Sequence, residues 1–161
     1  MTTEIGISDI NRQDVANELS KLLADEMVLY VKTKNATWNV EGADFNEKHK
    51  FFESQMEQLD EMIEDVAEHI RSIGHYAPAS LELYLKLTHL TEKVNEQNDS
   101  QGFIKNLLEA HESIIIILRK HVKSFAIDYH DVGTSNFITG LMDSHEIMAW
   151  LLRSHVPKHV Q

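Results

Sequence analysis

His49, Glu53, Glu64 and Glu68 are side chains of the types that ligate transition metals, and their spacings of four, eleven and four keep them on one side of a helix. At about 100° per residue they fall at roughly 0°, 40°, 60° and 100° around the axis. Along the axis they are far apart: at ~1.5 Å per residue, the His49/Glu53 pair lies about 22 Å from the Glu64/Glu68 pair. No single metal centre touches both pairs of one helix. A second copy, packed antiparallel across a two-fold axis near Gln58 and Leu59, brings each pair opposite the other's complement. The spacing therefore points to a metal site divided between two subunits. A solvated acidic face is the other reading, and from spacing alone it is the more common arrangement. Glu57 and Asp60 share the arc, with Glu61 and Asp65 just beyond it. One detail favours a site: the strip borders the apolar stripe, since Ala67 and His49 share an angle, and an interface there could enclose it.

The remaining chemistry is sparse. His111 and His145 fall on inward-facing stripes of two further helices. They are metal ligands or, as is more common, buried histidines bonded to a neighbour. His69, His75, His89, His121 and His130 have no spacing that makes a site. Di-iron bundles that complete their centre within one subunit carry a Glu-x-x-His pattern, and no Glu here has a His three residues on. Phosphate-binding glycine loops, Cys-x-x-Cys pairs and Gly-x-Ser-x-Gly elbows are absent.

Four long amphipathic segments position these residues. The first is expected from about Asn11 to Trp38, with Val15, Leu19, Leu22, Leu23, Met27 and Tyr30 as its stripe and Asn11 with Asp14 as its capping box. Gly42 breaks the chain. The second is expected from about Asp44 to Ile73, opened by the acidic pair Asp44 and Glu47, with Phe52, Met56, Leu59, Ile63, Val66 and Ile70 inward. Gly74 and Pro78 end it. Residues 79–88 read as a short helix in a long connection, and 89–100 as polar loop or frayed helix. The third helix is expected from about Gln101 to Tyr129. Gly133 and Thr134 separate it from a fourth, about Ser135 to Ser154. This is an all-α chain: a four-helix bundle of ferritin-like type with a short extra helix between helices two and three.

Composition narrows the function. The 161 residues favour a single domain spanning 1–161, with a core of about 11–155. Hydrophobic residues make up 42%, which argues against disorder, and two prolines and six glycines punctuate too little for a many-stranded fold. The absence of cysteine excludes disulfides and thiolate chemistry and fits a reducing compartment. The N-terminus lacks a signal-peptide pattern and no apolar run approaches the ~20 residues of a membrane span. A cytoplasmic protein without membrane contact is expected. Asn35 and Asn98 match the glycosylation acceptor pattern, read as coincidence in such a chain. A net charge of −11 opposes nucleic acid. The termini add little to offset it: Arg12 at one end, and Arg153 and Lys158 with His155 and His159 at the other.

The stretch from Lys34 through Thr37, Trp38, Asn39 and Gly42 to Phe45, followed by His49, Phe52, Glu53, Glu64, Ala67 and Glu68, closely resembles the Dps family of miniferritins. Gly133 to Phe137 and the run His145, Glu146, Met148, Ala149, Trp150 and Arg153 resemble the family's last helix. The resemblance covers about residues 11–155. It implies a ferritin-like subunit in a hollow homo-dodecamer, with ferroxidase centres at two-fold interfaces. It also implies Fe²⁺ oxidation, preferentially by hydrogen peroxide, ferric iron storage, and protection against oxidative stress. By position, His49 and Glu53 would ligate iron from one subunit and Glu64 and Glu68 from its partner, Glu64 standing where the family usually has Asp. Lys34 and Trp38 match residues beside the centre.

Residue 37 departs from the pattern. The family motif reads His-Trp-Asn, with the histidine a ligand, and this chain reads Thr37-Trp38-Asn39. A neutral hydroxyl is a poor iron ligand beside imidazole. Two functions from the resemblance therefore stand: a ferroxidase with an altered centre, or a cation store whose oxidation centre is impaired. A DNA-compacting role is not expected, because the family's basic tails are missing and the charge opposes it. Asp128, Asp131 and Asp143 are candidates for a three-fold pore that steers Fe²⁺ inward, and equally for ordinary solvated acids at helix ends.

Overall fold

The computed structural model describes residues 3–92 and 98–157 as five helices: α1 (Asp9–Asn39), α2 (Phe45–Ser72), α3 (Leu81–Leu87), α4 (Ser100–Ile127) and α5 (Val132–Arg153). Lys158 and His159 lie outside the described residues, as does part of the polar stretch expected at 89–100. No strand occurs among the described residues. Among the described residues, no helix is long and apolar enough to cross a membrane. α1 packs along α2, α4 along α5, and α1 also meets α3 and α4. The architecture is the all-α four-helix bundle that the periodicities predict, with α3 inside the long crossover.

The expected stripes become the core, except that Met56 is half-buried and outside it. Val15, Leu19, Leu22 and Leu23 of α1 meet Phe52, Leu59, Val66 and Ile70 of α2. Ile104, Leu107, Ile114, Leu118 and Phe125 of α4 join Ile138, Leu141 and Leu152 of α5. Each large apolar side chain buried this way contributes about 1.5–3 kcal/mol. Met27, Tyr30 and Val122 pack at its margin, half-buried.

Several helix starts differ from the sequence expectation, and the reason in each case is a polar side chain outside the apolar period. Ser8, not Asn11, caps α1: its hydroxyl accepts from the Asn11 N–H at 3.2 Å. Asp44 precedes α2 but makes no cap bond to it. Its carboxylate instead accepts the Ser100 hydroxyl at 2.6 Å, tying the start of α2 to the start of α4. Asp99 caps α4 through Gly102 N–H at 2.9 Å. Asp131 caps α5, so Gly133 lies inside the first turn rather than between helices. The reversal from α4 to α5 uses His130 at φ 55°, a left-handed position.

Asp131 illustrates why these caps matter. Its buried carboxylate accepts the Thr134 N–H at 2.8 Å and the Thr134 hydroxyl at 2.6 Å, and His69 of α2 sits 2.9 Å from that same hydroxyl. The cap therefore couples α2 to α5. Substituting Asp131→Ala is expected to cost about 1–2 kcal/mol, read as a lower urea midpoint, with Asp131→Asn retaining most of the stability. Equal midpoints for wild type and the alanine variant would contradict the capping role.

Candidate metal centre

All four candidate ligands lie on α2, a single unbroken helix of 28 residues. Its rise keeps the two pairs apart, as the spacing predicts. Glu53, Glu64 and Glu68 are exposed and His49 is half-buried. Of the two residues expected near the symmetry axis, Gln58 is exposed, while Leu59 points into the subunit's own core. Among the described residues, no group of three or more His, Asp or Glu side chains within one subunit is placed to hold a metal ion.

His49 is oriented rather than free. Its Nδ1–H donates to the backbone carbonyl of Thr37 at 2.8 Å, and Phe45 stacks on the ring at 5.5 Å between centroids. A carbonyl oxygen only accepts, so this bond fixes the Nδ1–H tautomer and leaves the Nε2 lone pair available. Fixing a histidine through its second nitrogen is how metal sites commonly orient the first.

Thr37 meets His49 through its backbone alone. Its side chain is buried, and its hydroxyl donates to the Thr33 carbonyl at 2.9 Å, one turn back along α1. The oxygen thus turns into the helix, which is how a threonine within a helix ordinarily satisfies its hydroxyl. Trp38 projects outward, 69% exposed. The Lys34 ammonium lies 3.0 Å from the Tyr30 hydroxyl, 4.8 Å from the Tyr30 ring centre and 5.4 Å from that of Trp38. Lys34 is thereby parked on aromatic faces rather than paired with an acid.

At the other end of the strip, Glu64 approaches α3. Burial, aided by the Glu64 charge, pushes the Tyr84 hydroxyl above its ordinary pKa. The Tyr84 hydroxyl donates to the Pro78 carbonyl at 2.8 Å. Beside it, Leu81 and Leu85 of α3 and Val31 of α1 are strongly exposed apolar side chains. Glu64 therefore lies near Tyr84, which shares a groove with the exposed Leu81, Leu85 and Val31.

The pore candidates separate. Asp128 and Asp143 are exposed. Asp131 is buried as the α5 cap, with its oxygens on Thr134. Of the inward histidines, His111 and His145 are fully buried and bonded to each other, and His145 also meets Glu26. Sequence reasoning missed Glu26 and its neighbour Asp25. The available signal was position: Glu26 continues the α1 stripe of Val15, Leu19, Leu22 and Leu29, where a carboxylate cannot remain without a partner.

Known proteins agree with this architecture. A ferritin-like domain matches residues 16–159. A low temperature-induced protein of Nostoc is 41% identical over 132 residues, covering 82% of this chain and 74% of the relative. The DNA protection during starvation protein of Helicobacter pylori is 35% identical over 96 residues, 60% of this chain and 67% of that one. A Dps protein from Vibrio cholerae, described as a member of the ferritin-like diiron-carboxylate proteins, superposes with a TM-score of 0.85 at 25% identity, covering 95% of this chain and 98% of that one. With the bundle and the α3 crossover already in place, these matches make the chain a member of the Dps miniferritin family of the ferritin-like superfamily.

Proposed function

We propose that this chain assembles into a hollow homo-oligomer, a dodecamer as in the resemblance above, and oxidises Fe²⁺ at sites shared between two subunits. Ferric iron is then stored inside. The observation that carries this reading is the α2 strip: three exposed carboxylates and an imidazole whose tautomer is already fixed, with too few ligands in any one subunit. Carboxylate oxygen and imidazole nitrogen suit iron as substrate. His49 and Glu53 of one subunit face Glu64 and Glu68 of the next, and the exposed Leu81, Leu85 and Val31 supply apolar area for that contact. Each of two Fe²⁺ ions loses one electron. With two protons, the pair of electrons cleaves the O–O bond of hydrogen peroxide to two waters. Removing both reactants limits oxidative damage.

Glu68→Ala is expected to slow peroxide-dependent iron oxidation by about tenfold or more, followed at the ferric absorbance with a few Fe²⁺ per subunit. Wild-type rates equal to those of buffer would sink the ferroxidase reading.

The buried Thr37 hydroxyl supports a second reading, a cation store with a weakened centre. It offers no replacement for the family's histidine. The two readings part at residue 37. Thr37→His that greatly accelerates oxidation supports impairment, whereas an unchanged rate supports a centre rebuilt around the Thr37 carbonyl. Thr37→Val tests the side chain itself: we expect a stability loss of about 0.5–1.5 kcal/mol in chemical denaturation and an unaltered oxidation rate. Direct DNA binding is not part of this proposal, since a charge of −11 opposes phosphate.

A further inference from the structure

Three titratable side chains that the proposed iron site does not use meet inside the bundle. Glu26 of α1, His111 of α4 and His145 of α5 are all fully buried. His145 Nε2 lies 2.6 Å from Glu26 Oε1, and His145 Nδ1 lies 2.9 Å from His111 Nδ1. The chain of contacts ends on two buried atoms without partners among the described residues, Glu26 Oε2 and His111 Nε2. Such groups are costly in a core, and each calls for an explanation.

Hydrogen counting constrains the two bonds that are made. Two nitrogens 2.9 Å apart share one hydrogen, not two. With Glu26 ionised and both imidazoles neutral, His145 Nε2–H donates to Glu26 and His111 Nδ1–H donates to His145 Nδ1. Both bonds are made and the trio carries one negative charge. One added proton makes either imidazole cationic, neutralises the trio and keeps both bonds. A second proton carried by the other imidazole puts hydrogens on both facing Nδ1 atoms, and the contact between α4 and α5 must break.

Among the described residues, no other buried charge offsets the trio. On α1, Asp25 is engaged by Thr88 and His89, and Arg12 by Asp9 and the Ile73 carbonyl. On α2, the buried cation Lys48 is held by Glu47 and His155. α3 buries no residue. Glu112 of α4 and Glu146 of α5, next in sequence to the two histidines, pair at the surface with Arg153 and Arg119.

We propose that Glu26, His145 and His111 form a proton-counting latch, which holds α1, α4 and α5 together with at most one imidazolium and opens the subunit when both histidines are charged. Burial, reinforced by the His145 charge, holds His111 well below the ordinary imidazole range. In the unfolded chain His111 takes a proton near pH 6.5, and in the folded subunit only at lower pH. Between those values the unfolded state binds more protons, so stability is full above about pH 6.5 and falls as the pH drops below it. Acid would thus loosen a loaded shell, whatever the fate of the ferroxidase reading.

The test is acid unfolding of the intact assembled protein, followed by far-ultraviolet circular dichroism, for wild type and His111→Gln. Glutamine keeps hydrogen-bonding capacity but does not titrate. In the variant the unfolding equilibrium constant should rise about tenfold less per pH unit in the window below 6.5, and the acid midpoint should move down. Deuterium exchange at histidine C2, read by mass spectrometry on wild type, should find no titration of His111 near 6.5 in the folded state, and it serves equally if the variant does not fold. Matching midpoints and steepness, or an ordinary His111 titration, would overturn the latch. So would stabilisation of chelator-treated Glu68→Ala protein by Zn²⁺ that disappears when His111→Gln is added, since the trio would then be a cation site.

Discussion

A carboxylate taken out of water must be met by hydrogen-bond donors, and α1 buries two in succession. Asp25 and Glu26 point to different neighbours because adjacent helical positions diverge by about 100°. Asp25 accepts the Thr88 hydroxyl at 2.7 Å, the His89 N–H at 2.6 Å and the His89 ring at 3.1 Å, which fastens the crossover just after α3. Glu26 turns into the core and meets His145 of α5, which meets His111 of α4. One turn of one helix thus fixes where the crossover lands and how the second helical pair sits on the first. The apolar stripes drive the helices together, and these two carboxylates restrict the arrangements in which they can do so.

The same rigidity that makes the bundle also shapes the α2 strip. An unbroken helix cannot fold back to gather its own side chains, so α2 displays His49 and Glu53 at one end and Glu64 and Glu68 toward the other. What the subunit does contribute is orientation. The end of α1 places the Thr37 carbonyl against His49, while α3 lies beside Glu64. The exposed apolar side chains near that end are an incomplete surface, in keeping with a subunit built to be covered.

Much of this was legible in the residues. The helical period of Val15 through Leu29, or of Phe52 through Ile70, determines amphipathic helices because burial acts on every third or fourth residue. The paucity of Gly and Pro leaves those helices long, and the four-eleven-four spacing of His49, Glu53, Glu64 and Glu68 determines a common face on one of them. The departure at Thr37 was equally visible. Helix starts were not, since Ser8, Asp99 and Asp131 lie outside the apolar period and are defined by the backbone they bond.

The sequence by itself therefore determined the helices, the fold class and which residues share the α2 face, because those follow from short-range periodicity. Tertiary structure alone decided which polar side chains would be spent on the fold. It committed Asp131 to a cap, turned the Thr37 hydroxyl onto Thr33 and its carbonyl onto His49, and joined Glu26, His145 and His111 across separations of 34 and 119 residues. Partners so distant along the chain leave no local pattern. They are selected only when packing removes water and each buried donor or acceptor must be satisfied by whatever side chain the other helices bring.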